Sequence, residues 1–393
     1  MNFSYCCTEC GKRYEITPEL TVCPDCAKTQ QPDQPLAGVL EVMLEGEPPQ
    51  NWTVADLLPV PAEYFPPAPV GDTPLWEPRN LRAELGLPNL FIKDDGANPT
   101  SSFKDRASFL VSAFAKQHGI KDIVLASTGN AGSSMAGIGA AAGQRVTLFL
   151  PEAAPPAKII QAMQYGARVF KVRGNYDFAY ALSQEYSRRH GGMNRNTAYN
   201  PMTLEGKKTV SLELFRQLGR VPDHVFVPTG DGCIIGGVIK GFADLVRLGI
   251  AERMPVIWCA QSEGSDAINR ALDGDGTFAK RSATTLADSI SVDVPANGHA
   301  VVRQMREHGG RTVTVPDAAI LKAQAKLSSS TGLFTEPAGA AAMAGMLAAR
   351  KHISPDQTVV VLATGNGLKD TKTAMQGVHE PGRAIQSIDD IKE

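Results

Sequence analysis

Asp122-Ile123-Val124-Leu125-Ala126-Ser127-Thr128-Gly129-Asn130 is an apolar run that stops at a glycine and leads straight into the small-residue stretch 130–143. Aliphatic and β-branched residues bounded by a turn read as a buried strand, and the alanines that follow read as a helix. The same unit recurs along the chain. Arg145-Val146-Thr147-Leu148-Phe149-Leu150 is a second strand, with a helix expected over 156–165, and Ala167-Arg168-Val169-Phe170-Lys171-Val172 is a third. Further strands are expected at 224–228, 255–260 and 358–363. Strands alternating with helices of roughly 10–15 residues imply βαβ units and parallel sheets flanked by helices, an α/β fold. In such sheets ligands bind beyond the carboxyl ends of the strands. Three strands end there in glycine loops: Ser127-Thr128-Gly129-Asn130, Thr229-Gly230-Asp231-Gly232 and Thr364-Gly365-Asn366-Gly367.

The rest of the chain bounds the function. Its 393 residues give room for two packed domains and a small extra module. A net charge of −2 and no long basic block exclude the electrostatic footprint of a nucleic-acid binder. Apolar runs fall short of the ~20 residues of a membrane span, and the start of the chain does not read as a signal peptide. A cytoplasmic location is expected, with no membrane partner.

Five of the seven cysteines lie in the first 26 residues. Cys7-Thr8-Glu9-Cys10 and Cys23-Pro24-Asp25-Cys26 each place two thiols on a tight turn, a spacing that suits tetrahedral Zn²⁺. A redox pair or reduced surface thiols would give the same spacing, and Cys6 allows the register to shift by one. Four cysteines leave no open coordination position, so a zinc here would be structural. It would also supply the folding energy of a 28-residue module too small for its own core. Residues 1–28 are therefore expected to form a zinc-ribbon-like module. Residues 29–75, with Pro59, Pro61, Pro66, Pro67 and Pro69, are expected to form an arm with little regular structure.

Pro228-Thr229-Gly230-Asp231-Gly232-Cys233-Ile234 follows a strand and opens a helix expected from about Ile235. Glycines let a backbone approach an anion, and the helix start offers free amides at the positive end of its dipole. The loop reads as a phosphate cradle or, more simply, as a tight connection. It has neither a Walker lysine nor dinucleotide spacing.

Asn98-Pro99-Thr100-Ser101-Ser102-Phe103-Lys104-Asp105-Arg106 resembles the lysine motif of fold-type II pyridoxal-phosphate enzymes, the tryptophan synthase β family, and most nearly its threonine synthase branch. The resemblance extends through Ser127-Thr128-Gly129-Asn130, Tyr165-Gly166-Ala167, Leu204-Glu205-Gly206-Lys207-Lys208-Thr209, Glu336-Pro337-Ala338 and Thr364-Gly365-Asn366-Gly367-Leu368-Lys369-Asp370. It implies a two-domain enzyme with a large cofactor-binding domain of 76–95 and 192–393, and a small domain of 96–191. It also implies a homodimer acting on a small amino-acid substrate. Some members begin with a zinc-ribbon-like segment, with Cys7, Cys10, Cys23 and Cys26 as its match here.

By matching position, Lys104 would be the catalytic Schiff-base lysine and Asn130 would bond the cofactor's phenolic oxygen. Gly230, Asp231, Gly232, Cys233 and Ile234 would hold its phosphate, and Thr364 would face its ring nitrogen. Ser127, Thr128 and Gly129 would receive the substrate carboxylate. The implied reaction converts O-phospho-L-homoserine and water to L-threonine and phosphate. β-Replacement of the cysteate synthase type, β-elimination of the ammonia-lyase type and a non-catalytic binding module are the other readings.

The chain departs from the branch where the substrate's phosphate would bind. Ala131, Ala198 and Thr203 stand where the branch has Thr, Ser and Arg, and Asp231 adds a negative charge. Other cations must then hold a second anion, with Arg195, Lys158, Lys207 and Lys208 as candidates.

Overall fold

Alternation along β1 (Asn2–Cys7) turns Tyr5 and Cys7 inward and leaves Cys6 on the other side. β1 pairs antiparallel with β2 (Arg13–Tyr14) and with β3 (Leu40–Glu45). The computed structural model describes residues 1–152, 154, 156–378, 382 and 384–387, with side chains described for all of these except 156–158.

One sequence expectation is corrected here. The first sheet does not end at residue 28 but takes β3 from the expected Pro-rich arm, because Leu40, Val42 and Leu44 alternate inward as strand residues do. This module shares the body's core, as one too small for its own must: Tyr5, Cys7, Leu40, Val42 and Leu44 belong to the same buried core as the rest of the protein.

The body begins with β4 (Leu75–Trp76), α1 (Arg79–Leu85), β5 (Leu90–Asp94) and α2 (Lys104–Gln117). Then come β6 (Asp122–Ala126), α3 (Asn130–Ala142), β7 (Arg145–Pro151), α4 (Pro156–Gln164), β8 (Arg168–Val172), α5 (Tyr176–His190) and β9 (Met193–Asn194). These four strands form a parallel sheet in the order β8-β7-β6-β9. The sheet passes residue 191, the expected end of the small domain. After β9 the chain stays bonded to β6: the Arg195 amide donates to Val124 O at 2.8 Å and Asn196 Oδ1 accepts the Ala126 amide at 2.8 Å.

The chain returns through α6 (Pro201–Lys207), α7 (Thr209–Leu218), β10 (His224–Pro228), α8 (Cys233–Arg247), β11 (Val256–Ser262), α9 (Ala267–Asp273) and α10 (Gly298–Glu307). β12 (Arg311–Val315), α11 (Asp317–Thr331), α12 (Pro337–Ala348) and β13 (Val359–Ala363) complete it. The second sheet runs β12-β11-β10-β13-β5-β4 and is parallel except for the two-residue edge strand β4. Every residue of its central strands β10 and β13 is buried, as in a sheet covered on both faces. The fold is thus α/β with two helix-flanked sheets, one of them mixed.

Helix α2 joins the two halves, packing on α3 in one and α6 in the other. Its anchor is Arg106, fully buried, whose guanidinium bonds Asp95 (2.5 and 2.9 Å) and Glu213 (2.5 and 2.8 Å). Lys93 Nζ adds an ion pair to Glu213 at 2.9 Å. Two cations and two carboxylates balance inside this cluster, which is what lets them be buried.

Candidate active site

Lys104 is the first residue of α2, and the loop before it is laced to the loop after β13. The Phe103 amide donates to Thr364 O at 2.8 Å, the Asn366 amide donates to Ser101 O at 3.0 Å, and Ser102 bridges Gly365. Asp105 turns back to accept the Thr100 amide at 2.7 Å. Lys369 Nζ donates to Thr100 O at 2.8 Å and to Gln161 Oε1 at 2.7 Å, tying the same loop to α4. The motif residues therefore divide their work: Asp105 shapes the loop, Arg106 anchors the helix, and Lys104 stands half-buried at the helix's first position. Its charge is felt by Glu336, Cys233 and Lys207, which come from three other elements.

Asn130 opens α3 and donates through Nδ2 to both carboxylate oxygens of Glu336, at 3.0 Å each. Burial raises the Glu336 carboxyl above its usual range, while Asn130, Lys104 and Lys369 pull it back down. Glu336 was visible in the sequence only as part of a motif, because its role depends on a partner 206 residues away. The Ser127 hydroxyl accepts the amides of Gly129 (3.2 Å) and Gly132 (2.9 Å), so it serves the start of α3. Thr128 and Gly129 are half-buried, and a side chain at Gly129 would meet nothing within 4 Å.

Helix α8 begins at Cys233, two residues earlier than expected, so Cys233 and Ile234 form its first turn. Gly232 stands before it at φ +82, a left-handed backbone that glycine adopts without strain, and contributes no side-chain cap. The helix start is thereby left to an anion. Asp231 occupies one amide, Cys233 N, at 2.9 Å. This turns its carboxylate into its own loop.

The candidate cations separate cleanly. Lys208 is buried and paired with Asp244 at 2.9 Å and with Glu205. The side chain of Lys158 lies outside the described residues. Arg195 and Lys207 are each 1% exposed and make no ion pair among the described residues. Arg195 donates to Ser108 Oγ at 3.3 Å while its Nε has no partner, and burial pushes it down to about 10. Lys207 Nζ donates to Thr203 O (3.0 Å) and Thr197 Oγ1 (3.2 Å), and burial pushes it down to about 7. Both cations act on each other and on Cys233 and Asp231, which places them beside the start of α8. Ala198 and Thr203 offer no such donor: Ala198 is apolar and buried, and the Thr203 hydroxyl donates to Asn200 O at 2.8 Å.

At the other end of the chain, the sulfurs of Cys7, Cys10, Cys23 and Cys26 all lie within 4.8 Å of one another. The Cys7–Cys26 and Cys10–Cys23 separations are 3.7 and 3.8 Å. Four sulfurs at ~2.3 Å from one zinc would sit about 3.8 Å apart, so the cluster has the dimensions of a tetrahedral thiolate site. Cys6 points away, its Sγ facing Gly11 O at 3.5 Å, which settles the register.

A family model described as pyridoxal-phosphate dependent enzyme matches residues 67–365. The chain belongs to the pyridoxal-phosphate dependent enzyme family. This family member is 34% identical to the threonine synthase of Methanosarcina acetivorans, over 98% of this chain and 97% of that protein. It is 32% identical to the threonine synthase of Methanocaldococcus jannaschii over 95% of each. The processed form of threonine deaminase isoform 2 from Solanum lycopersicum superposes with a TM-score of 0.69 at 24% identity, covering 79% of this chain and 89% of that one, which establishes the shared fold. The pocket of this pyridoxal-phosphate enzyme fits a phosphate-bearing cofactor on its own evidence. A buried guanidinium nitrogen without a partner, and a helix start where Asp231 takes the Cys233 amide while Gly232 offers no side-chain cap, both suit an anion. Among the described residues no helix is long and apolar enough to cross a membrane.

Proposed function

We propose that this chain is a threonine synthase, a lyase that converts O-phospho-L-homoserine and water to L-threonine and phosphate. The observation that carries this reading is the pair Arg195 and Lys207. These are buried cations with no carboxylate of their own, beside a helix start that already suits one phosphate. A substrate bearing a second phosphate answers that excess of positive charge.

The amides opening α8, from Gly230 to Ile234, hold the cofactor's phosphate. Asn130, oriented by Glu336, faces its phenolic oxygen, and Thr364 presents a neutral hydroxyl to its ring nitrogen. When bound, pyridoxal phosphate supplies an electron sink for carbanion charge next to the substrate amine. Lys104 takes the protons from Cα and Cβ and returns one at Cγ once phosphate has left. Arg195 and Lys207 bind the phosphate and stabilise it as the leaving group. Water then adds its hydroxyl at Cβ and gives its proton to the released phosphate, and Lys104 returns its remaining proton to Cα. Thr128 and Gly129 receive the substrate carboxylate, with Ser127 holding their loop in shape. A neutral partner at the ring nitrogen weakens the sink, which favours expulsion of a leaving group over transamination.

The test is incubation with O-phosphohomoserine, followed by assay of threonine and free phosphate in equal amounts. A 2-oxo acid with ammonia, or a product carrying a new nucleophile at Cβ, would replace this reading with the ammonia-lyase or β-replacement one.

The same reading includes one structural Zn²⁺ held by Cys7, Cys10, Cys23 and Cys26, supported by their sulfur spacing. Metal analysis should return about one zinc per chain, and a metal-free, fully folded protein would remove the zinc. It also includes a homodimer in the cytoplasm, to be tested by gel filtration and fractionation.

A further inference from the structure

The cysteine cluster grips a segment that reaches the phosphate loop. Cys23 N donates to Gly38 O at 2.8 Å, Thr8 N donates to Val39 O at 3.0 Å, and Val39 also bridges Val22. The Glu9 side chain accepts the Gly38 amide at 2.8 Å. Gly38 sits at φ +74, where a Cβ would come 3.0 Å from Cys23 O, so both cysteine turns close tightly on residues 38 and 39.

Two separate routes lead from this segment to the start of α8. Along the first, Val39 is 2% exposed and packs in one apolar cluster with Ala198, Leu204 and Cys233, flanked by Leu36 and Ala296. Ala198 is itself held at φ +62, a conformation that an alanine keeps only where its surroundings impose it. Its neighbour Thr197 receives Lys207 Nζ at 3.2 Å. Along the second, the Leu36 amide donates to Ala296 O at 3.0 Å, and Asn297 next to it donates its amide to Asp231 O at 2.9 Å. Asn297 Nδ2 also reaches Gly232 O at 3.3 Å. The loop 231–233 is thus backed on both sides by residues that the cysteine module places.

We propose that the four-cysteine module forms the outer wall of the cofactor-phosphate pocket, with Val39 as a positioning residue that sets loop 231–233. The module is part of the active site's framework, not an appendage that could be removed without consequence. This inference rests on loop 231–233 holding the cofactor's phosphate; it does not depend on which amino acid is the substrate.

The test is Val39→Ala in the full chain, stripped of cofactor and titrated separately with pyridoxal phosphate and with pyridoxal, followed by absorbance. A general loss of structure weakens both ligands equally. A displaced phosphate loop weakens only the phosphorylated one, by about tenfold for a wall that loses two methyl groups. Val39→Ile, which keeps the wall, should restore binding close to that of the unaltered protein. Should Val39→Ala fail to fold, Leu36→Ala, at a half-buried position on the same cluster, should show the same selective loss more weakly. Removing metal from the unaltered protein with a thiol-competing chelator should reproduce the selectivity. Unchanged binding of pyridoxal phosphate in the variants, or equal weakening of both ligands, overturns the proposal. Failure to make threonine would overturn the substrate reading and leave this comparison intact. A metal-free protein would overturn the zinc reading alone, since the Val39 comparison needs no metal.

Discussion

Asn130 Nδ2 reaches both carboxylate oxygens of Glu336 at 3.0 Å, and this pair fastens the start of α3 to the start of α12. One element flanks the small sheet and the other packs on the large one, so a single side-chain contact ties the glycine loop before α3 to the start of α12. Glu336 also accepts from Ser289 Oγ at 3.3 Å, and Ser289 is followed by Ile290, against which Gly230 packs. The Glu336 amide also donates to Gly365 O at 2.9 Å, so all three glycine loops meet around this residue.

Glu336→Ala should therefore unpair a buried Asn130 and cost about 1–3 kcal/mol of stability. Glu336→Gln keeps one acceptor and should cost clearly less. Denaturant unfolding of the two variants checks the order, and equal losses would mean that the carboxylate's bonds to Asn130 do not matter.

Lys104→Ala should abolish the bound cofactor's visible absorption and lower turnover by at least roughly 10²–10⁴-fold, the usual worth of a positioned acid–base group. Borohydride reduction and peptide mapping of the unaltered protein should find the label on Lys104. Recovery of the label on Lys207 or Lys240 would reassign the site.

Lys207 makes phosphate binding and stability depend on pH in opposite ways. Burial pushes its ammonium down to about 7, against ~10.4 for an unfolded lysine. Between those values the unfolded chain holds a proton that the folded one gives up, so folding loses stability as pH falls from about 10 to about 7 and no further below that. A bound phosphate favours the charged form, so affinity for inorganic phosphate should fall as pH rises above about 7. Lys207→Met should flatten both profiles, and should lower kcat/KM for O-phosphohomoserine roughly ten- to a hundredfold. Unaltered phosphate affinity in Lys207→Met would remove Lys207 from the anion site.

Arg106 and Glu213 govern the acid limb. Although burial alone would raise it, the Glu213 carboxyl is held down to about 2 by Arg106 and Lys93. Its contribution is complete above the ordinary carboxylate range, near ~4.3, and is lost as pH falls from there towards 2; it amounts to about 3 kcal/mol. Arg106→Ala leaves Asp95 and Glu213 with Lys93 alone and should cost about 3–5 kcal/mol. Unfolding measured against pH in both proteins checks this, and an acid limb identical in the variant would mean that the cluster does not set it.

Much of this site could be read along the chain, because each of its parts is local. Strand, glycine loop and helix follow one another in 122–143, and the α/β architecture follows from their repetition. The two C-x-x-C turns supply four sulfurs at metal spacing, and Lys104 opens a helix directly after its loop. β3 was also legible, in the alternation of Leu40-Glu41-Val42-Met43-Leu44-Glu45, but the prolines downstream hid it. β9 was not, since a two-residue strand exists only through its pairing with β6.

The adjacent lysines 207 and 208 mark where sequence ends and structure begins. Sequence alone establishes an α/β chain with three glycine loops at its strand ends, because backbone propensity and hydrophobic period act over neighbouring residues, while the enzyme reading and Lys104 came from the resemblance of its motifs. It could not tell these two lysines apart. In the folded chain Lys208 is neutralised by Asp244 and Glu205, while Lys207, one residue away, faces Arg195, Cys233 and Asp231 with no carboxylate bonded to it. Which cation is neutralised inside the fold and which is left without a carboxylate depends on helices α6 and α8 and the strand end after β9 meeting in space. The physical reason is that a charge's energy in a protein interior is set by burial and by partners brought from distant parts of the chain.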